Sequence, residues 1–454
     1  METTLKPNDI VSLTIDAYGS KGQGIGRHDG MTVFVPGALV NEKITVVIEK
    51  TTPSYAVGKM TDLVGRSSDR RDPACPYYEE CGGCDLMHMS YPAQLSFKTQ
   101  RVKDALTRIG GFADIKVEPC IGTDDPTHYR NKAVFSFAEH DERVVSGCIA
   151  EKSHRVVPVK SCLIQSGIAE AALKAVTDWA NGLGIRAYNE RTGKGCIRHL
   201  LVRTTSLGET MVVIIAAKPF ECEKELVSSL RAAVPSLKSL IVNLNPGRTS
   251  LILGRKSRVA FGNQTIRENV CGLEFSVAAE SFLQVNTVQM RKLYSKAVGA
   301  LELDRRDSVL DLYCGIGTIS LLMAQQAGSV TGVEAVAPAI EDAKRSAKAN
   351  GIDNAEFFCA NVEDLLPQLI KKGQKINKVM LDPPRKGAMP EALDAIAASG
   401  AERICYVSCD PSTLARDCKQ LAAAGYRIES VQPFDMFPQT SHVESVVLMS
   451  RAGS

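Results

Sequence analysis

An apolar strand in the C-terminal part of the chain runs directly into a glycine turn and then a helix. The strand covers residues 308–313, the turn lies within 311–317, and helical spacing follows over 318–327. A second apolar strand, 330–333, ends in Glu334. This order of strand, glycine turn, helix, strand and acid is typical of a doubly wound α/β sheet, so we expect a Rossmann-like C-terminal domain.

The glycine turn also indicates a cofactor site. Gly315 and Gly317 allow the backbone to approach a ligand closely, and Glu334, 23 residues after Asp311, can accept hydrogen bonds from ribose hydroxyls. A dehydrogenase would have a third glycine where this chain has Ser320. The spacing instead resembles that of the class I methyltransferases, which bind S-adenosylmethionine.

Two later loops should meet the same sheet edge, because ligands bind at the carboxyl ends of strands in open α/β sheets. Asn361 follows a strand over 355–359 and could face an adenine ring. Asp382 begins the sequence Asp-Pro-Pro-Arg after an apolar strand. A tyrosine in place of Arg385 would indicate methylation of an exocyclic amine, so we interpret Arg385 as a residue that steers a phosphate.

Cys409 is the candidate nucleophile. It follows a strand that ends at Ser408, and Asp410 with Pro411 has the N-cap and first-turn chemistry of a new helix. The positive end of that helix is expected to lower the pKa of the Cys409 thiol.

A thiolate with a base suits methyl transfer to C5 of a pyrimidine. C5 is too weak a nucleophile to take a methyl group from a sulfonium, but addition of a thiolate at C6 moves electron density onto C5. A base must then remove the C5 proton so that the thiolate can leave. Glu444, just before the last apolar strand, is the predicted base, and His442 is its competitor.

Cysteines in the N-terminal half indicate a metal site. The chain has 14 cysteines and no basic, apolar leader, so we expect reduced thiols and a cytoplasmic location. Cys75, Cys81 and Cys84 lie close together in the sequence, and Cys162 follows far downstream. Four thiolates suit a zinc ion or a [4Fe-4S] cluster, and unligated cysteines are the third reading.

The first seventy residues predict a small β-barrel. Strands with β-branched residues are expected over 11–17, 32–36, 43–49 and 55–64, separated by glycine-rich turns. The glycine-rich stretch 19–26 is not a dinucleotide motif, because no helix follows it. The segment resembles the TRAM domain, an OB-like barrel of RNA-modifying enzymes, which implies that it holds RNA.

The length and the net charge of the chain limit the remaining predictions. With 454 residues, 44% of them hydrophobic, the chain should form more than one domain, and no apolar run approaches the ~20 residues of a membrane span. Net charge is zero over 1–70, +4 over 71–290 and −1 over 291–454. Five basic residues cluster in the middle part, which suits either an RNA backbone or a solvated surface; they are Arg186, Arg191, Lys194, Arg198 and Arg203.

Taken together, these motifs resemble the bacterial RNA uracil-5-methyltransferases, specifically the ribosomal RNA branch with a TRAM domain and an iron-sulfur cluster. The resemblance covers essentially the whole chain. It implies an enzyme that transfers a methyl group from S-adenosylmethionine to C5 of a uridine in 23S ribosomal RNA. It also implies that the four cysteines hold a [4Fe-4S] cluster.

The resemblance further implies a set of site residues. Cys409 matches the nucleophile and Glu444 the base. Thr318 departs from relatives that carry Asn at this position, so it is left out of the cofactor set. The positions that match cofactor contacts are Gln284, Tyr313, Glu334, Asp382 and, more weakly, Asn361.

The implied architecture is a multidomain α/β protein. An OB-like TRAM barrel is expected over 1–66, a central α+β domain with the cluster and RNA contacts over 67–280, and the methyltransferase domain over 281–454. RNA is the expected partner, with no membrane and no obligate protein partner. The competing hypotheses are the same reaction on transfer RNA, cytosine-5 methylation, and a noncatalytic RNA-binding metalloprotein.

Overall fold

The N-terminal part of the protein is a closed barrel of five strands. The computed structural model describes residues 5–451. Around the barrel the strands run in the order β1-β2-β3-β5-β4. Their bounds are β1 Ile10–Tyr18, β2 Gly24–His28, β3 Met31–Val35, β4 Lys43–Thr51 and β5 Tyr55–Gly65.

Strand β2 was not predicted from the sequence. Its residues 24–26 belong to the glycine-rich stretch that we interpreted as a turn. A Cβ atom at Gly24 would lie 2.8 Å from the carbonyl oxygen of Ala38, and one at Gly26 would lie 2.9 Å from that of Thr14. These glycines therefore allow neighbouring barrel segments to approach closely, and a strand forms where composition indicates a turn.

The middle of the chain forms a second sheet of seven strands, in the order β12-β11-β10-β9-β6-β7-β8. Two helices, α2 (Gly167–Gly182) and α3 (Glu223–Ala233), pack on one face of it. Helix α2 begins where the Ser166 hydroxyl accepts a hydrogen bond from the backbone of Ala169. The strands are β6 Lys132–His140, β7 Arg143–Ile149, β8 Val156–Pro158, β9 Ile197–Thr204, β10 Thr210–Ala216, β11 Leu237–Leu244 and β12 Lys256–Gly262.

The C-terminal sheet also has seven strands, in the order β17-β16-β15-β18-β19-β21-β20. The first five are parallel, and β21 pairs antiparallel with both β19 and β20. The strands are β15 Ser308–Leu312, β16 Ser329–Glu334, β17 Ala355–Cys359, β18 Lys378–Leu381, β19 Arg403–Ser408, β20 Tyr426–Phe434 and β21 Glu444–Arg451.

Helices cover the C-terminal sheet on both faces, as a doubly wound fold requires. The helices after β14 are α4 Thr287–Ala300, α5 Thr318–Ala324, α6 Ala337–Ala349, α7 Val362–Lys371, α8 Pro390–Ala398 and α9 Pro411–Ala423. A hairpin of β13 (Ile266–Val270) and β14 (Leu273–Val277) packs in the same core as α4 and α5. This arrangement confirms the doubly wound α/β sheet expected from the glycine turn.

The segment between the barrel and the central sheet packs against the C-terminal sheet. Helix α1 (Tyr91–Ala105) continues into a π-helical turn, Leu106–Gly110, and both contribute to the core around α8 and α9. The backbone of Ile121 then donates a hydrogen bond to Pro433 at the end of β20. The division at residues 66 and 280 stays a prediction.

Three of the five residues in the basic cluster of the middle part have partners within the protein. Arg203 is 3% exposed and donates to the Ser281 carbonyl oxygen, and Arg198, also 3% exposed, donates to the carbonyl oxygens of Asn245 and Gly247. The exposed Arg186 forms an ion pair with Glu139. These three arginines therefore stabilise loops and strands. Within residues 5–451, no helix has the length and apolar character needed to span a membrane.

Candidate active site

One cavity collects all the predicted cofactor and catalytic residues. It has a volume of about 680 Å³ and lies where β15, β16, β18 and β19 end. Parallel strands that share a sheet edge bring their following loops together, which explains the convergence. The predicted residues that line the cavity are Gln284, Tyr313, Glu334, Asn361, Asp382, Cys409 and Glu444.

The glycine turn forms the floor of this cavity. Tyr313 has a left-handed backbone (φ 63°), and a Cβ atom at Gly317 would lie 3.0 Å from Phe357 and Ala343. The Glu334 carboxylate accepts a hydrogen bond from the Gly315 backbone at 3.2 Å. The Glu334 carboxylate therefore links the end of β16 to the turn after β15. Its remaining oxygen lone pairs are available to a ligand.

Asn361 and Gln284 both line the cavity. Asn361 lies at the start of α7, and its amide nitrogen donates to the Asp364 carboxylate at 3.0 Å. Gln284 is 4% exposed, and its backbone carbonyl accepts a hydrogen bond from the Asn131 side chain at 3.1 Å. Asn286 then caps α4 by accepting from the backbone of Gln289. The segment before α4 is thus held rigidly at the cavity.

Cys409 lies between β19 and α9, as the sequence predicts. The Asp410 carboxylate accepts hydrogen bonds from the backbones of Ser412 at 2.8 Å and Thr413 at 3.2 Å, so Asp410 is the N-cap of α9. The Ser408 hydroxyl accepts a hydrogen bond from the Asp410 backbone at 3.2 Å. These contacts fix the backbone on both sides of the cysteine.

The pairing of β19 with β21 brings Cys409 and Glu444 together. In this antiparallel pair Ser408 lies opposite Ser445. One residue further at the same end, Cys409 follows β19 and Glu444 begins β21. The Glu444 carboxyl is close enough to raise the pKa of the Cys409 thiol. Two residues that are 35 positions apart in the sequence therefore meet at one end of the sheet.

The predicted lowering of the Cys409 pKa is wrong for the protein without ligands. Burial raises the pKa of the thiol to about 12, and the Glu444 and Asp382 carboxyls add to the increase. Arg385 lowers the pKa of the thiol, but by less than burial and the two carboxyls raise it. Loss of water and two nearby carboxyls thus outweigh the helix N-terminus.

The carboxyl groups in this cavity have strongly perturbed acidities. Burial raises the pKa of Glu444 well above its usual value, with a further contribution from Asp382. Burial also raises the pKa of Asp382 to about 7 and that of Asp311 to about 7. Within residues 5–451, the buried Oε2 atom of Glu444 has no hydrogen-bond partner. A buried carboxylate with a free oxygen is a stronger base than one in water.

The sequence analysis missed several residues that line the cavity. Arg130 and Thr318 both line the cavity, although Thr318 was left out of the cofactor set. Phe282 lies at the rim with 67% of its surface exposed. Its position two residues before Gln284 is the sequence feature that could have indicated its place at the cavity. His442 also lines the cavity, and its ring lies edge-on to Phe437 at 5.9 Å.

The four predicted metal ligands are close to one another. Burial raises the pKa of Cys84 to about 12, and the thiols of Cys162, Cys81 and Cys75 contribute to the shift. A fifth thiol joins them, because a hydrogen bond from Cys148 lowers the pKa of Cys81 to about 6. The donors have the chemistry of a thiolate site. However, no group of three or more ligating side chains in the described part of the chain has metal-binding geometry.

Comparisons with known proteins identify the family. The profile described as tRNA (Uracil-5-)-methyltransferase matches residues 90–452, and that of the TRAM domain matches residues 5–61. An uncharacterized RNA methyltransferase of Clostridium tetani is 41% identical over 99% of this chain and 98% of its own. One from Caldanaerobacter subterraneus is 42% identical over 98% of this chain and 99% of its own.

A solved structure shares the fold along nearly the whole chain. It is the tRNA (uracil-54, C5)-methyltransferase of Pyrococcus abyssi in complex with S-adenosyl-L-homocysteine. Its TM-score is 0.77 at 25% identity, and the match covers 97% of this chain and all of that one. The chain therefore belongs to the S-adenosylmethionine-dependent RNA uracil-5-methyltransferase family and carries an N-terminal TRAM domain.

Proposed function

We propose that this protein methylates C5 of a uridine in 23S ribosomal RNA, with Cys409 as the nucleophile and Glu444 as the base. The observation that carries the proposal is the adjacency of these two side chains at the end of the cofactor cavity. Cytosine methylation and a noncatalytic role have no comparable support, since the family is one of uracil methyltransferases.

Cys409 and Glu444 have separate roles in the reaction. Cys409 loses its thiol proton to solvent, its sulfur forms a bond to C6, and the C5–C6 electron pair moves toward C5 and O4. C5 then takes the methyl group of S-adenosylmethionine, whose sulfur keeps the electron pair of the broken S–CH3 bond and leaves as the neutral thioether. The Glu444 carboxylate then takes the proton from C5, the ring double bond returns, and the C6–sulfur bond breaks to release the thiolate.

The acidities in the cavity support this division of roles. The raised pKa of Glu444 makes its carboxylate a better proton acceptor for the elimination step. Protonation of Asp382, whose pKa is raised to about 7, removes one charge that opposes the Cys409 thiolate. Arg385 lowers the pKa of the Cys409 thiol and therefore favours the form that attacks.

The cofactor residues are proposed from their places in the cavity. Glu334 would bind the ribose hydroxyls, and Asn361 would face the adenine ring. Gln284, Tyr313 and Asp382 would line the remainder of the site. The cavity of about 680 Å³ has room for S-adenosylmethionine beside a nucleobase.

The choice of RNA rests on the resemblance to the ribosomal branch, which combines a TRAM domain with four cluster cysteines. Transfer RNA is the second candidate, because the likeness to the Pyrococcus abyssi protein covers the full chain. We expect 5-methyluridine to disappear from 23S ribosomal RNA when the gene is deleted, as mapped by nucleoside mass spectrometry. Loss from transfer RNA alone would establish the second candidate.

The proximity of the four thiols supports a [4Fe-4S] cluster as part of this proposal. Cys75, Cys81, Cys84 and Cys162 would hold it, and methyl transfer needs no electron from it. Protein purified without oxygen should be brown and contain about four iron atoms per chain. Replacement of Cys162 by Ser should lower the iron content, whereas replacement of the exposed Cys222 should not. Zinc without iron would contradict the cluster.

A further inference from the structure

The segment that leads to Glu444 is held in place by the loop that carries the cysteines. This segment, residues 435–443, connects β20 to β21. Its residues Gln439, Thr440 and Ser441 are all buried. Gln439 has a left-handed backbone (φ 69°), a conformation that a non-glycine residue keeps only where surrounding contacts enforce it.

Asp85, directly after Cys84, makes the central contacts with this segment. Its carboxylate accepts hydrogen bonds from the Ser441 backbone at 3.0 Å and from the Ser441 hydroxyl at 2.9 Å. The backbone nitrogens of Asp85 and Leu86 both donate to the Gln439 carbonyl oxygen at 3.0 Å. Four hydrogen bonds thus join two residues of the cysteine loop to two residues of the segment.

Helix α1 makes further contacts with the cysteine loop and with residues 435–443. The Gln94 amide nitrogen donates to the Gln439 side chain at 3.0 Å and to the Met89 carbonyl oxygen at 3.0 Å, so it touches both loops. Lys98 forms a fully buried ion pair with Asp435 at the other end of the segment. Residues 85–98 therefore hold much of the chain between β20 and Glu444. Further hydrogen bonds come from Arg101 to the Ser441 carbonyl oxygen, from Tyr129 to that of Pro438 and from Asn286 to that of Met436.

We propose that Asp85 is a positioning residue that aligns Glu444 for proton removal by fixing Ser441, three residues earlier. This proposal rests on the proposed role of Glu444. It does not involve Cys409, whose backbone is held separately by Ser408 and Asp410. Loss of Asp85 should consequently slow the elimination step and leave attack by the thiol unchanged.

The test compares Asp85→Ala with Asp85→Asn and with Asp72→Ala in the full-length protein. Asp85 is exposed, so its replacement removes no core contact. We expect Asp85→Ala to lower kcat by roughly 10- to 100-fold with little change in KM for RNA, because small misplacements of catalytic groups have such effects. Asp85→Asn keeps an acceptor oxygen and should recover most of the rate. Asp72, an exposed acid that forms an ion pair with Arg66, is the matched control.

Two further readouts separate positioning from a general structural role. The covalent RNA adduct should accumulate in Asp85→Ala, because it forms normally and breaks down slowly. Hydrogen exchange should speed up at the amide of Ser441 and its neighbours, but not in β19. Equal losses in adduct formation and breakdown, or unchanged exchange at Ser441, would overturn the proposal.

The exchange measurement also keeps the two proposals distinguishable. If Glu444→Gln fails to accumulate adduct, the assignment of the base is wrong. Faster exchange at Ser441 in Asp85→Ala would then still show that Asp85 holds the segment. In that case the kinetic effect of Asp85 has to arise from His442, which lies in the same segment.

Discussion

Replacement of Cys409 by Ala is expected to abolish methylation, with a rate loss on the order of 10⁴-fold or more, as for other covalent nucleophiles. Without the thiolate, C5 of uracil is not activated. The fold should persist, because the backbone at this position is set by Ser408 and Asp410 rather than by the cysteine side chain. The measurement is methyl transfer to RNA together with a search for the protein–RNA adduct.

The exposed Cys222 provides the matched control for this variant. Cys222→Ala should retain both activity and adduct. RNA that contains 5-fluorouridine sharpens the test, since fluorine at C5 leaves no proton to remove and the adduct is trapped. A trapped adduct on a residue other than Cys409, or full activity of Cys409→Ala, would refute the covalent mechanism.

Replacement of Glu444 by Gln is expected to slow turnover by about 10²- to 10⁴-fold, the usual contribution of a general base. Gln has nearly the same shape as Glu but does not accept the C5 proton. The thiol can still attack, so the covalent adduct with ordinary RNA should accumulate instead of product. Gel mobility and intact mass of the protein–RNA complex measure this accumulation.

Two comparisons make the result specific to Glu444. Glu341→Gln, at an exposed position of α6, should behave like the unmodified protein. His442→Ala decides between the two candidate bases. If His442→Ala accumulates the adduct and Glu444→Gln releases product at the normal rate, the base is His442.

Local features of the chain were predictable because they depend on neighbouring residues. The glycine turn at Gly315 and Gly317, and the cap at Asp410, follow from short-range sterics and hydrogen bonding. Such rules fail where a distant segment decides the outcome. Gly24 lies in a strand because it pairs with Val35 in the barrel, and Ala38 leaves no room there for a side chain.

Burial also explains why two sequence-based predictions, one about basic side chains and one about the acidity of a thiol, differ from the structure. Arg198 and Arg203 have the sequence pattern of a phosphate-binding patch, yet they point into the protein and bind carbonyl oxygens. Cys409 has the sequence environment of an acidic thiol, yet burial and two carboxyls raise its pKa to about 12. Desolvation sums over atoms from many segments, so the sequence around one residue does not predict it.

The sequence by itself determined the α/β class of the C-terminal part, the strand–turn–helix that presents Cys409, and the loops after the parallel strands that reach the cavity. Their order along the chain is enough, because parallel strands deliver their following loops to one sheet edge. Only the tertiary structure decided that Cys409 meets Glu444 and that Asp85 holds the segment before Glu444. Those contacts depend on the register of antiparallel strands and on packing between distant segments, which no local pattern encodes.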